Sequence, residues 1–197
     1  MQKNNNSHPG PIAAVAVLTA MLFAGNLHAQ ETGLEIRNAS TRLDNGVWYL
    51  GARIDYRLNR ATLDALQSGI PLTFELQVEV DRRRNWLPDE DVASLRQYFE
   101  LSWQPLARSY LVRNKNSGDQ RMHTTLYAAL NDLGRIRALP LIDAAIIDEG
   151  EEYEVSLRAV LDQQQLPGPL RMLAFWDDGF TLESEWYRWT LLPENGP

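Results

Sequence analysis

The chain has 197 residues, of which 44% are hydrophobic and 23% charged, proportions typical of a folded globular protein. Nineteen Lys and Arg stand against 26 Asp and Glu, so the formal net charge is -7, which argues against a general nucleic-acid or anionic-membrane surface. Cysteine is absent, which excludes a disulfide framework, a thiolate metal site and a cysteine nucleophile.

The first 29 residues have the features of an export signal. A weakly positive start with Lys3 precedes an apolar run over residues 12–24, and a small residue stands at Ala29. This arrangement predicts a secretory signal peptide over residues 1–29 and a single mature domain over residues 30–197. A run of about 13 apolar residues is shorter than the roughly 20 that a membrane span needs, so no stable span is expected after cleavage. The protein is expected to be periplasmic or otherwise exported, and membrane-anchored if the signal is not cut.

The mature chain opens with a pattern typical of a β-hairpin. Residues 34–43 alternate loosely, residues 44–46 read Asp-Asn-Gly, and residues 47–58 alternate apolar with polar side chains. An Asn-Gly pair between two such runs favours a tight turn. A short helix is predicted next over residues 60–68, with Asn59 as its N-terminal cap and Gly69 at its end.

The clearest strand lies at residues 71–81, where apolar and polar side chains alternate over ten residues and predict one buried and one exposed face. The apolar set is Leu72, Phe74, Leu76, Val78 and Val80. Because a lone strand is unstable in water, neighbouring strands and a second layer must cover this face. The acidic residues 89–91, which follow a proline, predict a loop or the first turn of a helix.

The remaining elements predict further short strands separated by turns. Strands are expected over residues 95–103, 110–113 and 153–161, and a second helix over residues 126–133, with Thr124 or Thr125 as cap and Gly134 at its end. Two prolines make residues 166–170 a stiff connector, and residues 177–179 are expected to join the last two strands. Many short strands with only two short helices predict a mainly β protein, an antiparallel two-layer β-sandwich of the immunoglobulin-like kind.

Side chains for common catalytic centres are scarce. His8 and His28 fall within the predicted signal peptide, which leaves His123 as the single histidine of the mature chain. One histidine without cysteine cannot furnish a zinc site of nitrogen and sulfur ligands, and no Gly-x-Ser-x-Gly elbow is present to hold a serine nucleophile. His123 is therefore expected to have a surface or helix-capping role. No cofactor, metal or catalytic residue is predicted, and the protein is expected not to be an enzyme.

Three acidic clusters leave a second interpretation open. They lie at residues 89–91, 148–152 and 177–178. If two of them met in space, they could bind calcium or supply the acid and base of a glycosidase. The alternative function is therefore a carboxylate-dependent hydrolase or a calcium-dependent carbohydrate-binding module. The competing interpretation of the same residues is that they are solvated turn residues.

Two groups of residues favour a binding surface, because arginine and tryptophan are enriched in interface hot spots. The candidate interaction residues are Arg82, Arg83, Arg84, Trp86, Trp186, Arg188 and Trp189. Structural alternatives remain for both groups. The arginines could pair with the acids at residues 89–91 while Trp86 packs beneath its loop. A helix or the connector at residues 166–170 could cover the outward-facing rings of the last strand.

The order of several short motifs resembles a known bacterial family. They are Ser-Gly-Ile-Pro-Leu at residues 68–72, the arginine-rich segment around Trp86, Tyr-Leu-Val-Arg-Asn at residues 110–114 before the Ser-Gly turn at 117–118, Leu-Asp at 161–162 with Leu-Pro-x-Pro-Leu at 166–170, and Ser-x-Trp-Tyr-x-Trp at 184–189. Over nearly all of residues 34–190 this order resembles domain of unknown function 4390, a family of exported proteins of Gram-negative bacteria. Where that family usually has an aromatic residue before the helical segment, this chain has His123.

The resemblance implies an exported protein and brings no assigned activity or catalytic residues. Members of the family are often encoded beside a two-component sensor kinase, which implies an accessory role in the envelope or in signalling. Together with the arginine and tryptophan groups, this predicts a non-enzymatic protein that binds an envelope protein and no nucleic acid.

Overall fold

A computed structural model describes residues 33–176 and 178–191 of the chain, and the predicted signal peptide lies outside this part. The strands are β1 (Gly33–Asp44), β2 (Val47–Arg57), β3 (Leu72–Arg82), β4 (Glu90–Gln104), β5 (Ser109–Asn114), β6 (Gln120–His123), β7 (Arg135–Asp143), β8 (Tyr153–Leu161) and β9 (Tyr187–Leu191). The helices are α1 (Arg60–Gln67), α2 (Leu126–Leu133) and α3 (Gly168–Trp176), and short 3-10 turns cover Ala144–Ile146, Gln163–Gln165 and Asp178–Phe180.

The strands form two antiparallel sheets, as the sequence predicted. The smaller sheet has the order β1-β2-β7, and the larger one has the order β6-β5-β4-β3-β8-β9. Their apolar faces share one core. The prediction of a mainly β, two-layer sandwich is therefore confirmed.

Strand β3 lies inside the larger sheet, paired with β4 on one side and β8 on the other. Its five alternating apolar residues are all buried, including Phe74 and Val78, each only 1% exposed. Strand β2, the middle strand of the smaller sheet, buries its own alternating set in the same core. The rings of Tyr56 on β2 and Phe74 on β3 meet edge to face with centroids 4.9 Å apart, which joins the two sheets.

Both predicted helices begin at predicted caps. The side chain of Asn59 accepts a hydrogen bond from the backbone of Thr62 at 3.0 Å, and that of Thr125 accepts one from Ala128 at 3.2 Å. Gly134, just after α2, is required for another reason. A Cβ at this position would lie 1.9 Å from the carbonyl oxygen of Ile54, so only glycine lets the backbone after α2 approach β2 this closely.

Several local predictions differ from the structure. Strand β4 already begins at Glu90, where a loop or helical turn was predicted, because Glu90 continues the ladder directly opposite Arg82. Strands β6 and β7 were not predicted, and residues 168–176 form α3 instead of a connector followed by a strand. Pro169 is compatible with that helix because it lies in the first turn, where no backbone N–H is needed.

Candidate functional site

The loop between β3 and β4, residues 83–89, is named here the hairpin tip. Trp86 is 96% exposed and Leu87 is 64% exposed, so two large apolar side chains stand in solvent next to each other. The alternative in which Trp86 packs beneath its loop is therefore wrong. A tryptophan this exposed gains nothing from the fold's own core.

Ion pairs fix the base of the hairpin tip. Arg82 donates from Nε to Oε2 of Glu90 at 3.0 Å and from a terminal nitrogen to Asp148 at 3.0 Å. Arg84 also pairs with Glu90, and its backbone N–H donates to the Asp89 carboxylate at 3.0 Å. The hydrogen bond from Arg82 and the charges of both arginines hold the pKa of Glu90 below its ordinary value.

Glu154 on β8 joins the two groups of candidate arginines. It pairs with Arg83 from the hairpin tip, and its second carboxylate oxygen lies 3.8 Å from Nε of Arg188 on β9. Residues that are 105 positions apart in the chain therefore meet over one carboxylate. The arginines among the candidate interaction residues are thus held by carboxylates, as the structural alternative expected. These carboxylates include Glu154 as well as residues 89–91.

Trp186, just before β9, and Trp189, within it, are not part of this group. Trp186 lies against Arg158, whose guanidinium carbon is 5.8 Å from the ring centroid. Trp189 faces the smaller sheet and donates from its indole nitrogen to the hydroxyl of Thr41 at 3.3 Å. Arg158 is five residues along β8 from Tyr153, which pairs with Arg82, so the Cα of Arg158 lies about 17 Å along the strand from the base of the hairpin tip. The seven candidate residues do not form one patch.

Two of the predicted acidic clusters do converge, with an arginine between them. Glu90 and Asp148 bind the same guanidinium, that of Arg82. Beside them, Asp81 lies directly opposite Asp91 on one side and Glu154 on the other. Burial, reinforced by repulsion from these and other nearby carboxylates, raises the pKa of Asp81.

The third acidic cluster falls at the gap in the described chain: Asp177 lies outside the described residues, and the side chain of Asp178 is not described. Within residues 33–176 and 178–191, no three His, Asp or Glu side chains are grouped as a metal site would require.

His123 ends β6 and binds an acid. Its Nε2 lies 2.9 Å from the carboxylate of Asp132 on α2, which also accepts from Nε of Arg121 at 2.7 Å. Within the described part of the chain, no hydroxyl group hydrogen-bonds to the other ring nitrogen of His123. The contact ties β6 to α2.

Two surface features were not found by sequence reasoning. A cleft of about 350 Å³ runs between β7 and the β5–β6 hairpin, with apolar residues such as Phe99 and Ile136 beside charged ones such as Asp132. A groove of about 560 Å³ lies at the β4–β5 turn beside the fully exposed Leu106 and the half-exposed Met122. The cleft could not be anticipated because β7 itself was not predicted.

Comparison with known proteins gives one match. A model of the family described as Domain of unknown function (DUF4390) matches residues 31–190. No curated protein and no solved structure matches the chain. Among the described residues, no helix is both long and apolar enough to cross a membrane.

Proposed function

Starting from the membership of this chain in the DUF4390 family, we propose that it is an exported, non-enzymatic protein that binds another protein of the cell envelope through its hairpin tip. The tip presents Trp86 and Leu87 as apolar anchors, with Arg83 and Arg84 beside them. The signal peptide at residues 1–29 directs export, and the mature domain works in the periplasm.

The exposure of Trp86 carries this proposal. Interfaces are held mainly by a few aromatic and arginine side chains that enter pockets on the partner. An exposed tryptophan on a mobile loop would lose much of its binding energy to ordering. Here the arginines that precede Trp86 are already held by Glu90 and Glu154, so the base of the tip is fixed before it meets a partner.

The state of the carboxylates favours binding over hydrolysis. A glycosidase acid needs a raised pKa and an open path to the substrate oxygen. Glu90 and Asp148 instead share Arg82, and the pKa of Glu90 is lowered. Asp81 has a raised pKa, but it lies on the open face of the larger sheet, outside the lining of the cleft and of the groove.

A partner that accepts this tip has an apolar pocket large enough for the indole ring of Trp86. A sensor kinase of a two-component system is the first partner to test, because the family that the sequence resembles is often encoded beside one. Its part exposed to the periplasm would offer the pocket.

Co-purification from the envelope tests the proposal. The double variant Trp86→Ala, Leu87→Ala is expected to lose a partner that the wild type retains, while folding normally because both side chains are exposed. Tyr127→Ala is the matched control, since it removes another ring, 79% exposed, at a distant position on α2. Equal recovery of partners by the wild type and the tip variant would contradict the proposal.

A further inference from the structure

The outer face of the smaller sheet carries a hollow of about 330 Å³ that is separate from the hairpin tip. Its walls come from all three strands, and its lining includes Ser40, Arg42, Tyr49, Gly51, Arg137 and Ala138. Its size lies at the lower end of the range found for small-molecule pockets. Gly51 stands directly opposite Ser40 on the neighbouring strand and occupies the middle of β2.

Neither the backbone nor its surroundings require a glycine at position 51. Its φ is not in the left-handed region, and a Cβ built there would meet nothing closer than a carbonyl oxygen 4.0 Å away. Glycine inside a strand weakens the strand, and it often marks a place that a ligand approaches closely. The missing side chain therefore leaves open space on the sheet, at a cost in stability that packing does not explain.

Backbone strain lies on the opposite side of the same hollow. The register between β2 and β7 shifts between Leu50 and Ala52, so that Arg137 and Ala138 together face Gly51. Ala138 has a φ of 48°, which is uncommon for a residue with a Cβ. Bulges and strained residues of this kind re-aim side chains and concentrate at functional positions. Here the bulge brings Arg137 to the wall of the hollow.

The charge of the hollow is positive and poorly neutralised. Within the described part of the chain, Arg137 has no ion pair or hydrogen bond from its side chain. Arg42 has only a 3.8 Å contact with Asp44, in which both side chains are more than half exposed. Although the chain has a formal net charge of -7, two arginines line this hollow, and its other lining residues are uncharged.

We propose that this hollow binds the phosphate group of an organic phosphate. Arg42 on β1 and Arg137 on β7 line the hollow from the two strands that flank β2, and the hydroxyl-bearing Ser40 and Tyr49 also line it. A single carboxylate is satisfied by one bidentate arginine, whereas the oxygens of a phosphate accept from several donors around it. The open space over Gly51 admits the group close to the sheet, and the ring of Tyr49 lies beside the organic part. The site does not depend on the function proposed for the hairpin tip.

An NMR titration of the ¹⁵N-labelled exported protein tests the proposal, with the probe varied at constant ionic strength. Inorganic phosphate and glycerol 3-phosphate are expected to shift the Gly51 and Arg137 amide signals saturably. Vesicles of phosphatidylglycerol, compared with phosphatidylcholine, show whether a lipid headgroup is the better source of the same phosphate. The absence of a saturable shift with all of these probes overturns the proposal.

Variants distinguish a specific phosphate site from non-specific electrostatic attraction. Arg137→Gln is expected to weaken binding by about tenfold or more, because it removes charge-assisted hydrogen bonds. Arg57→Gln is the matched control, since it removes the same charge from the same face about 20 Å away along β2. Equal weakening by both variants overturns the proposal.

Gly51→Ala gives the second test, which does not depend on charge. The added methyl fills the floor of the hollow, so binding is expected to weaken by about tenfold while Tm stays the same or rises. A structural role for Gly51 predicts the opposite, a clear fall in Tm. A lowered Tm, or unchanged phosphate binding, overturns the proposal.

Discussion

Arg82 on β3 lies directly opposite Glu90 on β4, and its Nε donates to Oε2 of Glu90 across 3.0 Å. This pair closes the ladder at the base of the hairpin tip. Arg82 also binds Asp148, and Glu90 also receives Arg84, so charges from three segments meet there. Trp86 extends beyond this base into solvent. The structure thus combines a fixed base with an exposed apolar end.

The pH dependence of stability reports on the Glu90 ion pairs. Because the folded pKa of Glu90 lies below its ordinary 4.5, its stabilising effect is complete above that value and is lost as the pH falls through the folded pKa. Glu90→Gln is therefore expected to lower Tm at neutral pH and to match the wild type in strongly acidic solution. Thermal melts over a pH series measure this. Glu149→Gln, a loop acid without a described ion pair, is the control; a Tm difference for Glu90→Gln that does not vary with pH would contradict the assignment.

For Asp81, the expected pH dependence of stability has the opposite sign to that for Glu90. Its folded pKa lies above its ordinary 3.8, so ionisation costs stability as the pH rises above that value. Asp81→Asn removes the charge between Asp91 and Glu154 and is expected to raise Tm at neutral pH, with no gain in strongly acidic solution. Thermal melts of the wild type and of Asp81→Asn, at neutral and at strongly acidic pH, measure this difference in Tm. A lower Tm for the variant at neutral pH would show that the charge of Asp81 is needed.

Gly134→Ala tests the approach of α2 to β2. Its Cβ would come within 1.9 Å of the Ile54 carbonyl oxygen, and the hydrogen bond from Ile54 N–H to the Gly134 carbonyl, 2.8 Å long, must shift. We expect a loss of about 2–3 kcal/mol in the free energy of unfolding, measured by urea denaturation. Gly168→Ala is the matched control, because nothing lies within 4 Å of a Cβ there. Equal stability of the two variants would contradict the packing described.

Phe74→Ala tests the shared core. Phe74 is 1% exposed and meets Tyr56 of the other sheet edge to face, so its loss is expected to cost about 3–5 kcal/mol in urea denaturation. Glu79→Ala lies on the exposed face of the same strand and is expected to change stability by less than about 0.5 kcal/mol. A small loss for Phe74→Ala would mean that the two sheets do not close over this residue.

Strands β2 and β3, whose alternation is unbroken, could be predicted from the sequence, whereas β7, with two register shifts, could not. Strands β2 and β3 keep a period of two because one face of each is dry along its whole length. In β7, two register shifts each insert a residue, so the inward residues Ile136, Leu139 and Ile142 are three apart. That spacing hides a strand from any test for alternation. The apolar segment at α3 is ambiguous for a related reason, since short apolar runs suit a strand or a helix.

The candidate site was predicted only in part. The arginines that precede Trp86 mark the hairpin tip in the sequence. Because residues 89–91 follow closely along the chain, the pairing of these acids with the arginines was foreseeable. Glu154 was visible only as an outward strand residue, 71 positions from Arg83, and no local pattern links the two. Whether Trp86 is buried or exposed depends on what covers the loop, which is a property of the assembled fold.

Site-specific photo-crosslinking tests the central claim most directly. A benzoylphenylalanine in place of Trp86, in cells that export the protein, is expected to give one discrete adduct with an envelope protein. The same probe in place of Tyr127, another highly exposed ring, is the control and is expected to give none. An adduct that appears only from position 86, and disappears with Leu87→Ala, agrees with the account. Exported protein that gives no adduct from position 86, or the same adducts from both positions, would contradict it.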